Sequence, residues 1–253
     1  MSTLPTGVGR ATRPALALLG GALVALSMPP WGIWPLAFVG VTVFGLALGD
    51  SLTRRQRAWC GFAFGVSWMY TGMAWMWFLT VPGYLVACAL FAGLHALAAA
   101  WAPSGPWRTI GRPAAHTLVE VVRMSFPFGG VPLATLGISQ AGGPLLELAR
   151  VGGVILLTWV VFQVGFALAN LIPVLREAIT ERRVTAPDQT HALTALAAIG
   201  VIVVLAVVAP EGAPADAEPL TIAAVQGGGE QGTTALDVPS SDVTRAHLAA
   251  TAT

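Results

Sequence analysis

Seven stretches of this chain are apolar for about the length of a bilayer crossing, at approximately residues 12–28, 33–49, 58–80, 82–102, 112–128, 149–174 and 191–209. A spanning helix needs roughly 20 mostly apolar residues, so the pattern constrains the chain to a helical bundle dissolved largely in lipid. Proline, glycine and arginine clusters separate the stretches: Pro29-Pro30-Trp31-Gly32, Arg54-Arg55-Gln56-Arg57, Pro82-Gly83, Pro103 to Pro113, the glycine- and proline-rich residues 126–144, and Arg176 to Thr190. Proline removes a backbone donor and glycine permits non-helical dihedrals, so both end helices. Only 10% of the residues are charged, against about a quarter in soluble domains.

The arginines test the count. All thirteen basic residues are arginine. Arg10 and Arg13, then Arg54, Arg55 and Arg57, then Arg108 and Arg112, then Arg176, Arg182 and Arg183 occupy alternate connections. Positive charge marks the cytoplasmic side of a membrane protein. Neighbouring arginine clusters must then be separated by an even number of spans, which places the N-terminus inside and the residues after the seventh span outside. The first apolar run ends in Pro29-Pro30 instead of a small-residue cleavage site, so it reads as a retained helix and not a signal peptide.

Residues 1–209 are therefore expected to form the transmembrane domain and the acidic, proline-rich residues 210–219 a linker. Leu220 to Val225 reads as a short buried strand opening an incomplete second domain over 220–253, with no apolar period in the last two dozen residues to close a core. A net charge of +1 with no basic stripe excludes a nucleic-acid binder.

Few residues carry chemistry. Glu120 and Arg123 stand at i, i+3 inside the fifth span, where opposite charges pair. Such a pair is either a functional group at membrane depth or a structural pin for the loop that follows. Trp59, Trp68, Trp75, Trp77 and Tyr70 make the third span aromatic; Trp59 and Trp77 suit an interfacial belt, while Trp68 and Tyr70 either pack in the core or line a lipid-accessible groove. The loop from Phe126 through Gly137, Ser139 and Gln140 to Leu145 reads as a substrate-facing element or an ordered cap. His95 and His116 each read as solitary, with no metal site expected, and Cys60 and Cys88 read as packing residues. No Ser-His-Asp, Cys-His or paired-carboxylate arrangement is visible, and Val225-Gln226-Gly227-Gly228-Gly229 lacks the lysine and spacing of a nucleotide loop.

Four stretches in order resemble the N-terminal half of the apolipoprotein N-acyltransferase family, membrane-bound members of the nitrilase superfamily. They are Leu26-Ser27-Met28-Pro29-Pro30-Trp31-Gly32-Ile33-Trp34-Pro35-Leu36, then Gly61-Phe62-Ala63-Phe64-Gly65, then Glu120 to Gln140, then Ile222-Ala223-Ala224-Val225-Gln226-Gly227. The resemblance implies a bundle of about seven transmembrane helices followed by the start of an α/β nitrilase-like sandwich. It implies residence in the bacterial cytoplasmic membrane and transfer of an acyl chain from a phospholipid to the N-terminal S-diacylglyceryl-cysteine of a lipoprotein. The acyl group passes through a thioester on a cysteine served by a glutamate and a lysine, with no cofactor. Those three residues are expected beyond Thr253, so no catalytic residue is expected in this chain; Glu230 lies too close to the Val-Gln-Gly turn, and a tryptophan common after that turn is absent, Ala235 standing near its place. The alternative is a non-enzymatic scaffold for a polyprenol-phosphate mannosyltransferase, a partner to which such membrane domains can be fused or coupled.

Overall fold

The computed structural model describes residues 12–49, 51–127, 133–180, 186–209, 222, 224 and 238–251. Seven helices fall on the seven apolar stretches: α1 (Thr12–Leu26), α2 (Pro35–Leu48), α3 (Arg54–Gly72), α4 (Val81–Trp101), α5 (Arg108–Ser125), α6 (Ala149–Thr180) and α7 (Ala186–Val208). Among the described residues there is no strand. The α4 helix, the stretch Leu146–Ile179 and the stretch Thr190–Val208 are each long and apolar enough to cross a membrane; α1 and α2 are shorter apolar helices. The expected linker, nearly all of the expected strand and the Val-Gln-Gly turn lie outside the described residues. Beyond them α8 (Ser240–Thr251) forms a helix with no buried residue, which the sequence reading did not anticipate.

Local chemistry sets the helix starts. Thr53 and Gln56 form a capping box at α3: Gln56 N–H donates to Thr53 Oγ1 (3.3 Å) and Thr53 N–H to Gln56 Oε1 (2.9 Å). Thr80 caps α4 by accepting from Gly83 N–H (3.3 Å), and Pro35 opens α2 where its missing N–H costs nothing.

Three boundaries differ from the sequence expectation for identifiable reasons. The third apolar stretch leaves the α-helix at Gly72, and Ala74–Phe78 tightens into a 3-10 turn that exposes Trp75, Trp77 and Phe78. The fifth helix begins at Arg108, before the expected start at residue 112, and runs through Pro113. Proline cannot donate to the carbonyl four residues back, and here that carbonyl, Thr109 O, accepts instead from Gln163 Nε2 of α6 (2.9 Å). The sixth helix continues past Pro173 to Thr180, after a break at Gly152-Gly153, where Gly153 adopts φ 66°.

The bundle packs through small residues. A Cβ on Gly20 of α1 would lie 2.7 Å from Gly40 O of α2, and one on Gly65 of α3 would lie 2.6 Å from Ala92 Cα of α4. Such contacts let helix backbones approach where lipid offers no hydrophobic drive to association. At the centre Phe44 stacks on Phe64 (centroids 4.0 Å apart, planes 11°), with Trp68, Phe162 and Phe166 around them, all fully buried. The outside is apolar too. Val86, Leu97, Leu118, Leu193, Val204 and Val207 are among the large hydrophobic side chains left exposed.

Candidate functional site: a buried polar ladder on the fifth helix

The fifth helix is turned inside out relative to a helix of a water-soluble protein. Arg112, His116, Glu120 and Arg123 recur at i, i+4, i+8 and i+11, which places them on one face. That face is buried, while Ile110, Leu118 and Val122 on the other faces are exposed. Charged residues are almost never fully buried unless paired, so the partners of this ladder define the site.

Arg123 Nη1 donates to Glu120 Oε1, and both side chains are sealed from the surface. Two further bonds run from the pair to the loop before α6. Leu136 N–H donates to Glu120 Oε2 (3.2 Å), and Arg123 Nη2 donates to Leu133 O (2.6 Å). The guanidinium also lies over Phe91 (4.6 Å) and Trp68 (5.5 Å). A buried ion pair needs such added bonds to offset desolvation of both charges.

One turn earlier, His116 meets His95 of α4, with Nδ1 to Nδ1 at 3.1 Å. Two ring nitrogens in contact need one N–H and one lone pair. His95 Nε2 faces Glu120 Oε1 at 3.6 Å. The arrangement compatible with the carboxylate gives His95 its proton on Nε2, so that His116 Nδ1–H donates to His95 Nδ1. Phe44 and Phe166 flank His116, and Trp68 packs on His95. At the arginine-rich end, Arg112 Nη2 donates to Gly49 O (3.1 Å), and Arg108 Nε, Asn170 and Thr109 form a polar clasp between α5 and α6.

The sequence candidates fall into two places. Gly137, Ser139 and Gln140 form one buried 3-10 turn, Leu136–Gln140, held by the Glu120–Arg123 pair. Ser139 Oγ donates to Leu136 O (2.7 Å), and Gln140 Nε2 donates to Ser139 Oγ (2.9 Å) and Trp34 O (3.4 Å), which ties this loop to the Pro-Pro-Trp-Gly turn. Gly137 sits so close to α6 that a Cβ there would lie 2.8 Å from Val154 O. Trp68 is fully buried beneath Arg123. Tyr70 lies apart, half-buried, its hydroxyl donating to Leu85 O (3.0 Å) while Tyr84 donates to its carbonyl (2.6 Å). Cys60 and Cys88 are buried free thiols.

The histidines are the correction. Each reads as solitary because 21 residues separate them, yet α4 and α5 bring them into contact. The available signal was the helical spacing of His116 with Arg112 and Glu120. Among the described residues no three His, Cys, Asp or Glu side chains gather as a metal site.

A helical bundle with polar side chains hydrogen-bonded inside and many large apolar side chains exposed belongs to the class of domains built for a lipid surround. The family model for the apolipoprotein N-acyltransferase N-terminal domain matches residues 20–167, and the chain belongs to that family. It is 32% identical over 87% of its length to an apolipoprotein N-acyltransferase of Azotobacter vinelandii, covering 45% of that protein. It is 30% identical to one from Vibrio parahaemolyticus and 33% to one from Pseudomonas syringae pv. tomato, each over 63% of this chain and covering 35% and 36% of those proteins. The chain thus spans between a third and a half of the length of these relatives.

Proposed function

We propose that this chain is the membrane domain of an enzyme that moves an acyl chain from a phospholipid to the N-terminal amine of a lipoprotein. The observation that carries the reading is the family match over residues 20–167, which takes in the ladder and the loop it holds. All seven helices would cross the bilayer, with the arginine-bearing connections on the cytoplasmic side and the residues after α7 outside. The apolar outer face of α5 supports its crossing despite its charges.

In this reading the chain's own residues do no bond chemistry. The thioester-forming cysteine, its glutamate and its lysine belong to a nitrilase-like domain that follows the strand expected at Leu220–Val225. The ion pair fixes the loop from Leu133 to Gln140, and that loop with the Trp34 turn forms a rigid rim on which such a domain would sit. Fixed orientation of lipid donor and acceptor is the larger part of what a membrane platform gives to acyl transfer.

The test expresses the product of the whole gene in bacterial membranes depleted of their own N-acyltransferase. Conversion of a diacylglyceryl-lipopeptide is followed by mass spectrometry. A mass gain of one acyl chain on the α-amine is the expected result. Unchanged lipopeptide, with the protein inserted and a polyprenol-phosphate mannosyltransferase recovered beside it, would contradict the enzyme and favour the scaffold.

A further inference from the structure

A groove of 330 Å³ opens between α4 and α5, near the end of the bundle that carries Arg54 and Arg57. Leu94, Leu97, Trp101, Pro103, Leu118 and Val122 line it, without a polar side chain. Its volume lies at the small end of the roughly 300–1,000 Å³ usual for ligand pockets. An apolar slot on a lipid-facing wall fits one kind of occupant, a hydrocarbon chain.

The groove's end is built for charge. Arg57 is buried there with both terminal nitrogens engaged: its Nη1 donates to Ala102 O (2.9 Å) and its Nη2 to Ala100 O (2.7 Å), which closes the end of α4 against α3. Arg54 is different. It is exposed, its guanidinium lies 4.6 Å from the ring centroid of Trp101, and it forms no ion pair among the described residues. Stacking on an indole holds a guanidinium in place and leaves its N–H edge free to meet a phosphate in a forked geometry.

We infer that this groove, with Arg54 held over Trp101 at its end, is a binding site for one anionic phospholipid of the arginine-side leaflet, its acyl chain between α4 and α5 and its phosphate on Arg54. The inference rests on the membrane reading above, and it is separate from the acyl donor of the proposed reaction. An anionic lipid there would close this seam between α4 and α5 and hold the two helices together.

The test uses the chain purified in detergent, with dioleoyl phosphatidylglycerol or dioleoyl phosphatidylcholine added, and native mass spectrometry to count retained lipid. One phosphatidylglycerol is expected to be retained in preference to phosphatidylcholine. Arg54→Ala lowers its retention about fivefold, the size expected for one arginine at an anionic lipid surface. Arg55→Ala, which alters an exposed neighbouring arginine, leaves it unchanged. Leu118→Trp, which fills the groove, lowers retention of both lipids. Equal retention of the two lipids, or equal losses from Arg54→Ala and Arg55→Ala, would overturn the site. Membrane extraction and helicity are read on the same preparations. A chain that never enters the membrane refutes the underlying reading, and an inserted, helical chain without the preference refutes the site alone.

Discussion

Leu136 donates its backbone N–H to Glu120 Oε2 at 3.2 Å, so a carboxylate in the middle of the bundle anchors the loop that leads into α6. Arg123 completes the clamp through Glu120 and Leu133 O. Removing one partner strands the other charge without water. Glu120→Ala and Arg123→Ala are each expected to cost about 3–5 kcal/mol. Exchanging both for apolar residues, Glu120→Leu with Arg123→Met, is expected to cost less than either single change. Thermal unfolding in detergent, followed by circular dichroism, checks the order of the three.

Gln163 stands in for the donor that Pro113 lacks. Gln163→Leu leaves Thr109 O buried without a partner, a loss of about 1–3 kcal/mol. In a Pro113→Ala background α5 can satisfy that carbonyl itself, and the same Gln163→Leu change is expected to be nearly neutral. A double-mutant cycle on unfolding temperature measures the coupling.

The close crossing of α3 and α4 depends on Gly65. Gly65→Leu must separate the helices or shift one along the other, because the Cβ alone would meet the Ala92 backbone at 2.6 Å. Loss of a monodisperse peak in size-exclusion chromatography is expected. Gly93→Ala is the control: nothing lies within 4 Å of its Cβ position, and it should behave as the parent.

His95 and His116 share one proton across a 3.1 Å contact. His116→Phe leaves His95 Nδ1 buried and unpartnered, whereas His95→Phe with His116→Phe removes both halves. The double variant is expected to be more stable than the sum of the two single losses, read from melting temperatures. In nitrogen-15 spectra of the parent, one Nδ1 should appear protonated and the other bare.

The apolar stretches made α4 legible from sequence, since Val81 to Trp101 is one uninterrupted run with a threonine cap and an early proline. Position was legible for α1 and α2 as well, because Pro29-Pro30-Trp31-Gly32 breaks the apolar run into two. What escaped depended on partners distant in sequence. Pro113 looked like a boundary because nothing nearby shows that a glutamine fifty residues on would take its carbonyl. The Glu120–Arg123 pair is legible from its i, i+3 spacing, but the inward face that it forms with Arg112 and His116 was not read. Trp68 reads as either a core or a groove residue because composition does not say which side of an aromatic helix faces inward. The 3-10 turn at Leu136–Gln140 has no periodicity of its own, and the buried pair beneath it gives it its shape.

As proposed, α5 lies in lipid with its charges turned inward. Nitroxide labels at Leu118→Cys and Val122→Cys test it most directly in the reconstituted chain, since Cys60 and Cys88 are buried and can stay. A label at Arg245→Cys on the exposed α8 gives the aqueous reference. Frequent collisions with oxygen and few with a water-soluble nickel complex are expected at Leu118 and Val122. Nickel collisions there as frequent as at Arg245 would contradict it.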